Sequence, residues 1–130
     1  MDIMDVINSL EDMISTGGAS AEEILQAEKE LGVAFSEEYK KILAEFGSVL
    51  AEEIELVGLA KSQNRNTVVV TKREWEYNPL VPRHLYVVEN LGIEGVIIWQ
   101  DEDGTIYQSS SNKEPEKVYS SLEEYIKSVK

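Results

Sequence analysis

The chain has no cysteine among its 130 residues. That absence removes a disulfide framework, thiolate metal sites and cysteine nucleophiles together. It has a single histidine, His84, too few for a two-histidine metal site or a Ser-His-Asp triad with a spare ligand. His84 follows Pro82 and Arg83 at a strand entrance and reads as a structural loop residue. No apolar run reaches the length of a membrane span, and the longest, Val96 to Trp99, suits a buried strand. The start carries Asp2, Asp5, Glu11 and Asp12 in place of a basic region followed by an apolar one, so no secretory leader is expected and the cytoplasm is the expected address.

Basic residues are also scarce: Lys and Arg number 12 against 25 Asp and Glu, for a net charge of −13. The imbalance sits in residues 1–60, with fourteen acidic and three basic side chains, whereas residues 61–130 hold eleven and nine. Such a surface repels nucleic acid and anionic lipid, because phosphate binding requires Lys and Arg. It would steer a basic partner at low salt. A charge run taken alone is more often a solvated, solubilising face, so the acidic excess acquires meaning only with independent support. Apolar residues at 42% and charged residues at 28% are ordinary for a folded chain, and the length fits one domain, 1–130.

The pattern that is present opens with helices. Ile3, Val6, Ile7, Leu10 and Ile14 recur at helical spacing, and Gly17-Gly18 closes that run in a loose loop. Ser20 begins S-A-E-E, a capping box in which Glu23 returns a bond to the Ser20 amide. Ala21, Ile24, Ala27 and Leu31 line this second helix, and Gly32 occupies the left-handed position past its end. Ser36 caps a third helix, with Glu37 and Glu38 at its positive end and a stripe of Tyr39, Ile42, Leu43 and Phe46 before Gly47. A DNA-binding helix–turn–helix would need basic residues on that helix, but Lys40 and Lys41 are outnumbered by Glu37, Glu38 and Glu45.

After Gly47 the period changes. Glu53-Ile54-Glu55-Leu56 alternates as a half-buried strand. Residues 66–77 admit two readings: the valine run suits a strand, while Asn66 as a cap with Val68, Thr71 and Trp75 on one side favours a helix. Leu85 to Glu89, Val96 to Gln100 and Thr105 to Ser109 are three strands at hairpin spacing, and Asp101 to Gly104 offers a left-handed glycine for a tight turn. A polar stretch, Ser110 to Glu116, leads to a last helix capped at Ser121 with Leu122, Tyr125, Ile126 and Val129 on its face. The fold class is α+β: an antiparallel meander of about four to five strands, with the N-terminal helices and a C-terminal helix packed largely on one face.

No chemistry-bearing motif survives weighing. Asp101 to Gly104 has its glycine fourth and Asn112 twelfth, where a calcium-binding EF-hand loop needs glycine sixth and glutamate twelfth. Ser109 to Ser111 lack a G-x-S-x-G elbow and read as a solvated loop. The pairs Glu22/Glu23, Glu37/Glu38 and Glu52/Glu53 are sequence neighbours, which do not face each other on a helix. Trp75 and Trp99 are expected in the core. The residue pattern therefore predicts neither an enzyme nor a cofactor.

The stretch "AEKELGVAFSEEYKKILAEFGS" resembles the signature of the SUKH superfamily, which includes the fungal Smi/Knr cell-wall regulators. Glu28, Leu31, Gly32, Phe35, Tyr39, Leu43 and Gly47 match the pattern. Ser36 stands where the family usually has proline, and Ser48 where a second glycine is common. The segment Ile54 to Gly58, the stretch LYVVENLGIEGVIIWQD and the closing S-S-L-E-E-Y-I are similar to the family in outline. The resemblance implies a fold-specifying corner without catalytic residues and, in bacteria, an immunity protein that binds and blocks a toxin, often a nuclease. A basic toxin domain would then meet exposed carboxylates, with Glu52, Glu53, Glu55, Asp101, Glu102 and Asp103 as the expected partner-binding residues. A regulatory interaction module of the Smi/Knr type is the alternative, and a hydrolase built on an unnoticed carboxylate pair is a third class.

Overall fold

A computed structural model describes residues 3–93 and 95–129. Asp2, in the acidic start, and Glu94, in the link between two expected strands, lie outside them. The chain runs through helix α1 (Ile3–Asn8), strand β1 (Ile14–Ser15), helices α2 (Ala21–Leu31) and α3 (Glu37–Phe46), and strands β2 (Val49–Leu50) and β3 (Glu55–Leu56). A short 3₁₀ turn (Gln63–Arg65) precedes helix α4 (Thr67–Tyr77). Strands β4 (Tyr86–Asn90), β5 (Ile97–Gln100), β6 (Ile106–Ser109) and β7 (Glu116–Tyr119) then lead to helix α5 (Leu122–Val129). The last four strands form the antiparallel meander, in the order β4-β5-β6-β7, and β1-β2-β3 form a separate three-stranded ribbon.

The helix corner follows its local signals. Ser20 and Glu23 close the capping box in both directions. Gly32 takes φ 69° and its amide returns to the Glu28 carbonyl at 2.8 Å. The Glu28 carboxylate then accepts the Phe35 amide, also at 2.8 Å, tying the end of α2 to the entrance of α3. Ser36 caps α3 through the Tyr39 amide. Tyr39, Ile42, Leu43 and Phe46 are all buried, as their spacing requires. Asn66 caps α4 through the amides of Val68 and Val69, so residues 67–77 are helix despite their valines.

Four readings are corrected. The first helix stops at Asn8: the Ser9 hydroxyl bonds the Val6 carbonyl at 2.7 Å, and Asp12 at φ 53° reverses the chain. Ile14 consequently leaves the helix, pairs with Leu50 in the ribbon and is 62% exposed. Gly18 is not in a loose loop, because a Cβ there would stand 2.1 Å from the Ala44 carbonyl oxygen. Part of the polar tail forms β7, whose largely exposed side chains gave no alternating signal. Ser109 is no loop residue either: it is buried at the end of β6 and accepts the Trp99 indole N–H at 2.8 Å.

The meander is covered on both faces, which the expectation of helices largely on one face did not anticipate. All four residues of β5 are buried. Ile98 belongs to the larger core with Tyr86, Val88, Ile106 and the apolar faces of α1, α3 and α5. Ile97 and Trp99 join Val87, Leu85 and Val70 of α4 in a second core. Helix α4 also closes the outer edge of β4. The Thr67 hydroxyl donates to the Val87 carbonyl at 2.8 Å, and the Thr71 hydroxyl accepts the Val87 amide at 2.9 Å.

Leu43→Ala should cost about 2–5 kcal/mol, as expected for a buried leucine whose site cannot collapse fully, read as a lowered urea midpoint. Gly18→Ala should destabilise more than Gly32→Ala. Position 32 has only the left-handed strain of about 1–2 kcal/mol and open space around a Cβ, whereas position 18 meets a helix carbonyl.

Candidate partner-binding surface

A connected hydrogen-bond network of polar side chains lies inside the fold. The amide of Gln100 uses every hydrogen-bonding position it has. Its oxygen accepts the Ser36 hydroxyl at 2.9 Å and the Tyr86 hydroxyl at 2.8 Å. Its nitrogen donates to Glu38 Oε1 at 2.7 Å and to the Gly104 carbonyl at 3.1 Å. Glu38 in turn receives the first amides of α5, Leu122 at 2.6 Å and Glu123 at 3.4 Å. A carboxylate from α3 thus supplements the Ser121 cap of α5, whose hydroxyl accepts the Glu124 amide at 3.1 Å, at a helix end where the dipole favours negative charge. Around this network Phe35, Tyr39 and Tyr86 pack edge-to-face and stacked, with ring centroids 4.8–5.3 Å apart. The Tyr39 hydroxyl reaches across to the Val57 carbonyl at 2.5 Å.

Glu38 is half-buried, whereas another carboxylate, Glu89, is only 5% exposed. The register of β4 on β5 shifts between Val87 and Glu89, so that Glu89 stands opposite Ile98 rather than following strict alternation. This bulge turns the carboxyl toward α5, where it accepts the Tyr125 hydroxyl, and it also accepts the Glu55 amide at 2.9 Å. Burial pushes the carboxyls of Glu89 and Glu38 above their ordinary range, against the lowering effect of the hydrogen bonds each accepts. Both groups serve α5. Sequence reading missed these roles because Glu38 reads as one more acid in the first turn of α3 and a lone Glu in a strand carries no pattern.

The expected partner-binding residues are on the surface but not together. Glu52 and Glu53 are exposed at the β2–β3 turn beside Glu11, and Glu55 is exposed on β3, paired with Arg65 at 3.6 Å. The β5–β6 turn, with Gly104 at φ 95°, carries Asp101, Glu102 and Asp103. Glu55 adjoins Glu89, at the end of β4 that pairs with Ile97 and Ile98, whereas Asp101 adjoins Tyr86 at the other end. The two groups therefore sit at opposite ends of the meander. The carboxylates of Glu102 and Asp103 are exposed at the turn and make no hydrogen bond or ion pair among the described residues. Asp101 is tied into it, its carboxylate accepting the amides of Asp103 and Thr105 and the Tyr107 hydroxyl at 3.0–3.1 Å.

Among the described residues no group of three or more His, Cys, Asp or Glu could hold a metal ion, and no helix is long and apolar enough to cross a membrane. Trp99 is fully buried, while Trp75 is half-buried, its indole N–H on the Leu85 carbonyl and the Arg83 guanidinium over its ring. Tyr77, at the end of α4, is the strongly exposed aromatic at 68%.

With this geometry in view, the family described as SMI1-KNR4 cell-wall, of the SUKH group, matches residues 3–130. The chain belongs to that SUKH family. A crystal structure of a protein from Pseudomonas syringae pv. tomato superposes with a TM-score of 0.75 at 19% identity, covering 97% of this chain and 96% of that one. At that identity the likeness concerns the fold, and it is the same α+β arrangement. No curated protein matches the sequence. The matching residues have visible duties here: Glu28 holds the corner, Gly32 turns it, Tyr39 bonds the Val57 carbonyl and Leu43 fills the core. At the departure from the family's proline, the Ser36 side chain bonds both the Tyr39 amide and Gln100.

Two outcomes follow from these inward-facing carboxylates. Glu38→Ala takes the acceptor from the Leu122 and Glu123 amides and orphans one Gln100 N–H, while the Ser121 hydroxyl still holds the Glu124 amide. It should cost about 1–3 kcal/mol and raise amide exchange first at Leu122 and Glu123. For Glu89 the folded-state pKa is raised, so its stabilising, protonated form is fully present below the unfolded value of about 4.3 and is lost as pH rises through the folded value. The stability of the parent minus that of Glu89→Gln should therefore fall from acid toward neutral pH in urea titrations. A difference that rises with pH would show the carboxylate to be favoured when charged.

Proposed function

We propose that this SUKH protein is an immunity protein: it binds and neutralises a basic toxin domain, of nuclease type, by direct contact in the cytoplasm and without catalysis. The observation that carries the reading is the distribution of carboxylates. Buried Glu89 and half-buried Glu38 are committed to holding α5, while Glu52, Glu53, Glu102 and Asp103 stand exposed without an ion pair among the described residues. A nuclease site is basic because it binds phosphates, and a net charge of −13 draws such a surface in by long-range attraction. Charge of this kind chiefly accelerates encounter. Retention needs a desolvated anchor, and Tyr77 is the exposed aromatic able to supply one.

A second reading, a regulatory interaction module, is favoured by the cell-wall description of the family. The two differ in partner. A pull-down from cells carrying the neighbouring reading frames should recover a basic toxin domain; recovery of a housekeeping protein in its place would support the module.

Reversing Glu52, Glu53, Glu102 and Asp103 to Lys should leave the fold intact and slow association with the recovered partner severalfold or more. Its salt dependence should flatten. Asp101 is left unchanged because it holds the turn. Unchanged association rates and undiminished protection of toxin-exposed cells would reduce the acidic surface to a solubility device.

A further inference from the structure

A broad concavity of the surface lies apart from the carboxylates of the β2–β3 and β5–β6 turns. It is an open groove of about 1020 Å³ between α2 and the stretch 59–69, floored by Gly17, Gly18 and Ala19. Glu22, Glu23, Gln26 and Glu30 form the α2 wall. Across from them stand Lys61 and Arg65, yet among the described residues no ion pair crosses the groove. Arg65 turns instead to Glu55 at 3.6 Å. No ion pair among the described residues thus holds the Glu22 carboxylate, while Glu23 is engaged in the Ser20 capping box and Glu30 accepts Gln26 at 3.3 Å.

Three features fix what fits. From Glu22 to Glu30 the wall spans about 12 Å at 1.5 Å per residue, and its steps of four residues are about 6 Å. Alternate side chains on an extended strand are about 6.6 Å apart, so an extended segment can set one cation against Glu22 and another, four residues on, against Glu30, with a polar side chain between them at Gln26. The floor adds small or partly apolar surface from Ala27, Leu59 and Val68, on which the aliphatic stems of Lys or Arg can lie. The amides of Gly17 and Gly18 are exposed and donate to no acceptor among the described residues. They are available to the carbonyls of an incoming main chain, as in strand-type peptide recognition.

We infer that this groove receives an extended segment of the partner protein with Lys or Arg at two positions four residues apart, the segment lying along α2. The inference rests on the reading of a basic protein partner and names where that partner is gripped. The groove adjoins the proposed surface through Arg65, which lines it and pairs with Glu55.

The test uses the full chain, isotopically labelled, titrated at physiological ionic strength with a short synthetic peptide of alternating lysine and serine; a glutamate–serine peptide is the control. Amide shifts should gather at Gly17, Gly18 and Lys61 to Asn66, with no response to the control. The double variant Glu22→Lys, Glu30→Lys should weaken binding about tenfold or more, equivalent to about 1.4 kcal/mol. Ser62→Trp, at an exposed position whose side chain makes no capping bond, should do the same by filling the groove. Both variants should retain the parent melting temperature. Glu102→Lys with Asp103→Lys should bind the peptide like the parent. Shifts gathered at the β5–β6 turn or spread evenly over the acidic surface would overturn the groove, as would undiminished binding by Ser62→Trp. The same variants separate the two ideas when assayed against the pulled-down partner. A partner weakened by Glu52→Lys and Glu53→Lys but indifferent to groove filling would end the groove inference and keep the immunity reading. Peptide binding confined to the groove, with a partner that is not basic, would do the reverse.

Discussion

The Gln100 amide is the joint on which this fold depends. It stands in the middle strand of the sheet's core and links the α3 cap, the aromatic cluster, the β5–β6 turn and, through Glu38, the N-terminus of α5. A network of this kind is stabilising only when complete, because any orphaned member would be a buried polar group without water. Here it is complete: among the described residues no buried side-chain nitrogen or oxygen lacks a partner. The stretch from Leu31 to Ser48 is sharply specified for the same reason. It supplies Phe35 and Tyr39 to the aromatic cluster and Ser36 and Glu38 to the network, and their positions leave little tolerance for error.

Legibility followed locality. Caps, helix-ending glycines and the stripe of α3 are interactions within a few residues, so Ser20, Gly32, Ser36 and Tyr39 announced themselves in the sequence. Asn66 likewise outweighed three valines at the start of α4, because a cap satisfying two amides acts before tertiary packing does. What failed was non-local or irregular. Ile14 kept a helical period by coincidence and was claimed by a strand partner more than thirty residues away. Strand β7 buries too little for alternation to show. Glu89 should by alternation share the face of Val87, and only the bulge turns it toward Tyr125. No composition or spacing argument foresees a bulge.

The candidate surface divides in the same way. Alternation with Ile54 and Leu56 correctly put Glu53 and Glu55 outside, and the turn glycine correctly placed Glu102 and Asp103 at a tip. That the two groups occupy opposite ends of the meander depends on how β3 lies against β4, which is set by one backbone bond from Val57 to Val88 and by the Glu89 carboxylate. Asp101 shows the converse. It looks like one more free acid in the sequence, and its hydrogen bonds make it part of the turn.

The two threonine hydroxyls on the outer edge of β4 reach beyond the packing of α4. An uncovered strand margin is sticky toward any other strand, including one from an identical molecule. Thr67 and Thr71 occupy both polar groups of Val87 from the side where such a strand would dock. At the opposite margin β7 begins just after Pro115 and carries exposed Lys117, residue types that discourage added strands. Both margins of the main sheet are thus guarded against pairing with a second copy of the chain, which lets the protein accumulate without assembling into fibres.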